Sequence, residues 1–579
     1  MAKQDTAILL RWSEHVPASD VQDPLGLGLR GSTRLASRLL FCITSITPRA
    51  RYFSFIPWCV QDWQTRERGQ SFALGLRDAI VLREKALTLG CIAHHKGTSC
   101  AGGALVGSDN VAKWFAQGQP DIDLRKLPFA KNPALGAYFN SLVNLGMFLE
   151  TDNVADAEED SGAATLDDLK LSELGKQLAD GYDSMVGRLE SVRDLATPHR
   201  RAKVSSLKEW GLLGGLCELA EPTAADRQLL RDIFFARVGL SSGSHPIRRR
   251  SLLLILELCR QSSASDWALS EAAFGAAVYF GEIAVGGNPR GPIEWPEALQ
   301  DVAMRWRMFY FHHYMSVALE GMFAWLVTQV ADTGLTGASL EDLANTLSSG
   351  AVSSALTELF AIHLPGLFAD STPSAIFERL SGVAGGLDPD VSRLLDERVR
   401  PSDAHSEARL ESLIREADYI RSPAGLAIPM LLLGLTLGRY RQFEDTTYGD
   451  WLASAASDPY LDLVPPVLIA GLSRRFQQWW DCPWKDLAAF VLDRYVLRQH
   501  QSMSYVKTAA GDRCLLEVDG LKIMSSAAYD KIGMGNPRLG RAISILKDLA
   551  LLAEDDGVYV VTTDGMRLLE DELATEARS

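Results

Sequence analysis

Cys91, His94, His95 and Cys100, within the stretch CIAHHKGTSCAGG, carry the thiol and imidazole atoms that a zinc-class cation prefers. A structural zinc site usually closes with two ligand pairs set farther apart in sequence, so convergence of four groups over so short a loop is tight. A surface loop with incidental thiols is the plainer expectation, and no cofactor is expected. Two glycine patterns fall away on context. Gly26-x-Gly28-x-x-Gly31 needs a strand before it and an acid about twenty residues on, yet Asp23-Pro24 precedes it and Arg51 occupies the acid's place. Gly239-Leu-Ser241-Ser-Gly243 resembles a serine elbow, but the preceding Thr223–Val238 reads as a helix that Gly239 ends.

Arg307-x4-His312 and Arg494-x5-His500 place a guanidinium and an imidazole within two helical turns. Such a pair suits metal-independent RNA cleavage, the arginine on the scissile phosphate and the histidine moving the ribose proton. The spacing is similar to that of helical ribonucleases of the HEPN type, and the resemblance implies that activity as an alternative. A core histidine is the other reading.

Basic groups form further clusters. His199-Arg200-Arg201-Ala-Lys203, Arg248-Arg249-Arg250 and Arg474-Arg475 are candidates for gripping phosphate, or else the solvated rims of buried helices. Arg538, Arg541 and Lys547 are expected on the exposed side of a C-terminal helix, at a spacing suited to a phosphate or a guanine edge. Arg49 and Arg51 lie beside Tyr52, Phe53 and Phe55, as in a surface that stacks bases. The competing view makes the aromatics core and the two arginines buried ion-pair partners.

An internal repeat is the strongest positional signal. NPALGAYFNSLVNLGMFLE at 132–150 and NPRLGRAISILKDLALLAE at 536–554 share Asn, Pro, Leu, Gly, two further Leu and Glu without a gap. In each copy Asn is expected to cap a helix and Pro to take its first position. Leu135, Phe139, Leu142 and Leu145 then form one apolar stripe, and Leu539, Ile543, Leu546 and Leu549 the other. A second helix is expected after each, from Ser172 to Gly175 and beyond, and from Thr562 to Gly565 and beyond. A hairpin over Leu551–Thr562, turning at Asp556-Gly557, joins the C-terminal pair, giving the order of a winged helix. In the N-terminal copy Glu150–Asp168, with eight acids and no base, reads as a disordered insertion.

The fold class is therefore mainly α: a multidomain helical protein with winged-helix-like modules near residues 132–184 and 525–575. The expected domains are 1–184, 185–400, 401–510 and 511–579. Phe72–Leu89 reads as an amphipathic helix with Arg77, Arg83 and Glu84 on its outer side, and Pro296–Asp332 as a long buried one. Apolar residues are 47% of 579, ample for several cores, and the net charge of −15 excludes a protein that coats nucleic acid through overall charge. The longest apolar stretch, Gly425–Gly438, is too short to cross a bilayer, so no membrane contact is expected. The opening MAKQDTAILLRW lacks a secretory pattern, and eight scattered cysteines suit reduced thiols, so a cytoplasmic location is expected.

Leu25-Gly-Leu-Gly28, followed by TSITPRARYFSFIPW at Thr44–Trp58, resembles the opening of a group of bacterial proteins found among anti-phage defence genes. Gly107 and Ala137-Tyr138 fall in similar places, so the resemblance covers roughly residues 20–185. It implies association with other subunits of a defence complex and brings no catalytic residue. The expected function is a non-enzymatic component binding DNA, RNA, partner subunits or both kinds of ligand. A pure protein scaffold is a further alternative.

Overall fold

The computed structural model describes residues 25–27, 29–97, 105–149, 166–240, 243–263, 269, 271–285, 288–333, 337–360, 371–375, 407–416, 420–444, 476–508, 516–519, 522–525, 537–555 and 558–576. Cys100, Ser241, Arg474-Arg475, Asn536, the Asp556-Gly557 turn and most of the acidic stretch lie outside them. The fold is mainly α. Among the described residues, short strands form three two-stranded pairs and one three-stranded sheet in the order Ala338–Ser339, Lys522–Ser525, Leu516–Asp519. Contacts divide the chain into two units, residues 1–35 with 307–535 and residues 36–306 with 536–579.

The second unit is built on the aromatic run. Tyr52–Arg66 is one helix whose residues from Tyr52 to Val60 are all buried. A helix apolar all round belongs in a core. Trp58 packs edge-on to Trp210 and close to Tyr182, and Phe53 meets Tyr138 and Phe234. The expected helix near Phe72 runs over Leu76–His94. Its outer side is not as expected: Arg77 is exposed, but Arg83 and Glu84 are buried. Arg83 pairs with Asp62 at 2.6 Å and Glu67 at 2.7 Å, and Arg200 reaches Glu67 at 2.7 Å. Amphipathic spacing cannot reveal such charges, because their partners come from distant sequence.

Two glycines set the next contact. Gly90 in Leu76–His94 and Gly211 in Val204–Gly214 meet backbone to backbone, and a Cβ on either would overlap the other helix's main chain. The helix expected from Thr223 is shorter, Arg227–Phe234, although Gly239 does take the positive φ of a stop.

The two copies share the hydrogen bonds that end their first helix and start their second. Ala134–Asn144 and Leu539–Asp548 are helices. Their ends close alike: Met147 N–H donates to Leu142 O at 3.0 Å, and Leu551 N–H to Leu546 O at 2.9 Å. Phe148 then bridges Leu171 as Leu552 pairs with Val561. Ser172 Oγ accepts Gly175 N–H at 3.1 Å, and Thr562 Oγ1 accepts Gly565 N–H at 3.0 Å, starting Glu173–Val186 and Thr563–Glu576. The helix starts depart from expectation. Pro133 and Pro537 both precede the first helical residue, and the N–H of Ala134 is taken by the buried Glu84 carboxylate, not by Asn132. The acidic stretch is also not wholly unstructured: Leu166–Asp168 is a 3-10 turn, and Asp167 accepts Leu76 N–H at 2.6 Å.

In the first unit, the described part of the long Glu297–Asp332 helix from Met308 to Val327 is buried. Gly321 admits Ile414 and Pro429. The Gly425–Gly438 stretch lies largely in the helix Ala427–Glu444, also buried, and no described helix is long and apolar enough to cross a membrane.

Candidate functional site

Four of the basic candidates, Arg49, Arg51, Arg200 and Arg248, are buried, whereas Arg201 and Lys203 are exposed beside Asp121 and Glu190. Arg49 is buried, donating to Asp548 at 3.0 Å, while its N–H meets Tyr138 Oη. Arg51 is fully buried between Asp226 (Nη2 at 3.1 Å) and Gly215 O (Nη1 at 2.7 Å), beneath the Tyr182 ring. Tyr52, Phe53 and Phe55 are core. The expectation of a stacking surface here is overturned, since a buried guanidinium cannot meet phosphate. Arg248 is buried as well and caps Arg227–Phe234 through Ile233 O and Phe234 O; burial brings it down to about 10. Arg249 pairs with Glu572 and Glu576, and Arg250 with Glu576 at 2.9 Å.

The C-terminal helix offers little more. Leu539, Ala542, Ile543, Ile545, Leu546 and Asp548 are buried, which leaves a narrow outer strip. Arg538 donates to Ser37 Oγ and Ile43 O, Arg541 to Ser45 O at 2.9 Å, and Lys547 pairs with Glu554. As a helix laid in a DNA groove it is mostly covered, and its cations have partners within the chain.

In both ribonuclease pairs the histidine is buried. His312 is buried, and among the described residues neither ring nitrogen has a hydrogen-bond partner; burial pushes it down to about 4. A general base needs a route to the proton that it moves, and this ring has none. Arg494 is exposed beside Asp493, whereas His500 is buried with Nε2 3.1 Å from Ser504 Oγ, so the two do not face one substrate.

Among the described residues one cluster remains. His94 and His95 end the Leu76–His94 helix and its cap, and Cys217 and Glu218 stand on the Leu216–Ala220 turn beyond the glycine crossing. His94 Nε2 is 3.3 Å from Glu218 Oε1, His95 Nε2 is 3.1 Å from Cys217 Sγ, and Cys217 Sγ is 3.3 Å from Glu218 Oε1. Ligand atoms of His94, His95 and Glu218 all lie within 4.8 Å of one another. The side chains of His94 and Glu218 are 23% and 19% exposed, half-buried and open to ions from solvent. Arg51 holds Gly215 O, and Tyr182 Oη donates to Gly214 O at 2.8 Å, so the turn is fixed from behind.

No family model matches this chain, and no curated protein or solved structure matches it either. Geometry alone speaks for the site.

Two of the four sequence candidates for a metal are thus brought together, His94 and His95. Cys91 is buried one turn earlier, its Sγ under Gly215, and Cys100 is outside the described residues. Cys217 and Glu218 escaped the sequence reading because they lie more than a hundred residues away. The only signal for them was Gly90 against the Gly211, Gly214 and Gly215 set, which marks helices that approach closely.

Proposed function

We propose that the chain is a non-enzymatic, protein-binding component of a bacterial anti-phage system, the setting implied by the resemblance at Leu25–Gly28 and Thr44–Trp58. The carrying observation is what the surface of the second unit offers. The arginines suited to phosphate are tied to carboxylates and carbonyls of the chain itself, while large apolar side chains stand out. Leu149, Val238 and Leu240 are 51%, 38% and 49% exposed. Leu240 lies against Gly146, at the turn leading to Leu149, so apolar groups gather on the N-terminal module. Apolar surface of this kind favours a protein partner. The winged-helix reading of the two modules accords with this, since such folds serve protein contacts as well as DNA.

Co-purification with the products of neighbouring genes tests the reading. Leu149→Asp with Leu240→Asp should abolish capture and leave the melting temperature unchanged. A purified protein that instead binds DNA or RNA with a steep salt dependence, weakened by Arg541→Glu or Lys547→Glu, would overturn it. RNA cleavage abolished by His312→Ala or His500→Ala in a folded protein would also overturn it.

A further inference from the structure

We infer that His94, His95, Cys217 and Glu218 form a binding site for one zinc-class divalent cation, which ties the end of the Leu76–His94 helix to the Leu216–Ala220 turn. This goes beyond the protein-binding reading and stands without it.

Three observations converge. The first is spacing. Ligands at about 2.0–2.3 Å from a tetrahedral centre stand roughly 3.3–3.6 Å apart. Ligand atoms of His94, His95 and Glu218 already lie within 4.8 Å of one another, and Cys217 Sγ stands 3.1 Å from His95 Nε2 and 3.3 Å from Glu218 Oε1, so three groups face one centre and a turn of the Cys217 side chain brings in the fourth. The second is donor chemistry. Two imidazoles, a thiol and a carboxylate suit zinc and its neighbours, whereas magnesium and calcium prefer oxygen alone. The third is support. Gly90 and Gly211 allow main-chain contact between the two helices, and a side chain at Gly215 would crowd Cys91 Sγ. Arg51 and Tyr182 then hold the carbonyls of Gly215 and Gly214 from the core side. A turn fixed in this way places its ligands without a large ordering cost on binding.

Charge balances as well. On binding, the Cys217 thiol gives its proton to solvent and the sulfur lone pair forms the metal bond. Both imidazoles bind neutral, and Glu218 binds as carboxylate. The cation with one thiolate and one carboxylate is neutral overall, which suits a half-buried position. Four protein ligands close the coordination sphere, so the ion is structural and leaves no position for activating water. Because protons leave the ligands, affinity should rise with pH.

The test uses the full-length protein, purified with a tag free of histidine, stripped with chelator and titrated with Co2+. One Co2+ per chain should bind, showing visible ligand-field absorption and a near-ultraviolet thiolate-to-cobalt band, and Zn2+ should displace it. Cys217→Ser should lose the thiolate band, whereas Cys91→Ser should keep it. The His94→Ala/His95→Ala protein should take up no stoichiometric metal, and Zn2+ should raise the melting temperature of the unsubstituted chain but not of this variant. Far-ultraviolet circular dichroism of the metal-free proteins checks that each variant folds, and the unsubstituted chain decides if one does not. Failure of that chain to bind Co2+ or Zn2+ stoichiometrically would overturn the proposal. So would a thiolate band that survives Cys217→Ser in a folded protein.

Discussion

At the scale of single residues, this protein uses charge inside. Arg49, Arg51, Arg83, Arg200 and Arg248 are all buried, and among the described residues all but Arg248 have a carboxylate partner. Their sequence neighbourhoods read equally well as phosphate-binding surface, because an arginine beside aromatics has one appearance and two uses. The partner decides between them, and Asp226 and Asp548 lie far along the chain. His312 is the opposite case, a buried imidazole against Gly31 with no hydrogen-bond partner among the described residues. Burial lowers it from 6.5 to about 4, so between those values the unfolded chain takes a proton that the folded one refuses. Stability is therefore lost as pH falls through this window, by up to about 3 kcal/mol. His312→Leu should remove that loss and raise stability at neutral pH, as seen in urea unfolding at pH 7 and pH 4. Parallel pH profiles for the two proteins would show that His312 does not titrate in this way.

At the scale of elements, much was legible where local rules act. The repeat was readable because a helix stop, a hydroxyl cap and a glycine three residues after the cap recur at fixed offsets, and these are short-range hydrogen bonds. The start of the first copy's helix differs because Glu84, from another helix, supplies the cap that Asn132 was expected to give. The metal cluster was half legible: two histidines adjacent in sequence could be seen, but partners delivered by a helix crossing could not. The repeat makes a paired forecast. Gly175 faces Met147 O, and Gly565 faces Leu551 O, each so closely that a Cβ would overlap the carbonyl. Gly175→Ala and Gly565→Ala should each cost about 1–3 kcal/mol, and by similar amounts, because the same contact is displaced. Thermal unfolding of both variants checks this. A neutral effect at one site and a large one at the other would mean that the modules share sequence without sharing a packing rule.

At the scale of the whole molecule, the C-terminal module reads in sequence as a domain of its own, yet its contacts belong to the second unit. Asp548 meets Arg49, and Leu549 O and Asp564 meet Arg231. Glu572 meets Arg237 and Arg249, and Glu576 meets Arg249 and Arg250. Its helix Leu539–Asp548 also buries five apolar side chains. Leaving one partner of a buried pair behind costs about 3–5 kcal/mol. That is comparable to the whole stability of a domain, roughly 5–15 kcal/mol. A chain ending at residue 535 loses the Arg49 partner and also uncovers the apolar surface that the helix had covered. The truncated chain should accordingly fail to fold its second unit, with protease digestion spreading through residues 36–306. Asp548→Asn alone, which keeps the side chain's size and drops its charge, should lower the melting temperature while the fold persists. A truncated chain that melts like the full one would mean that residues 536–579 rest on the unit without holding it, and that the sequence-order division was the physical one.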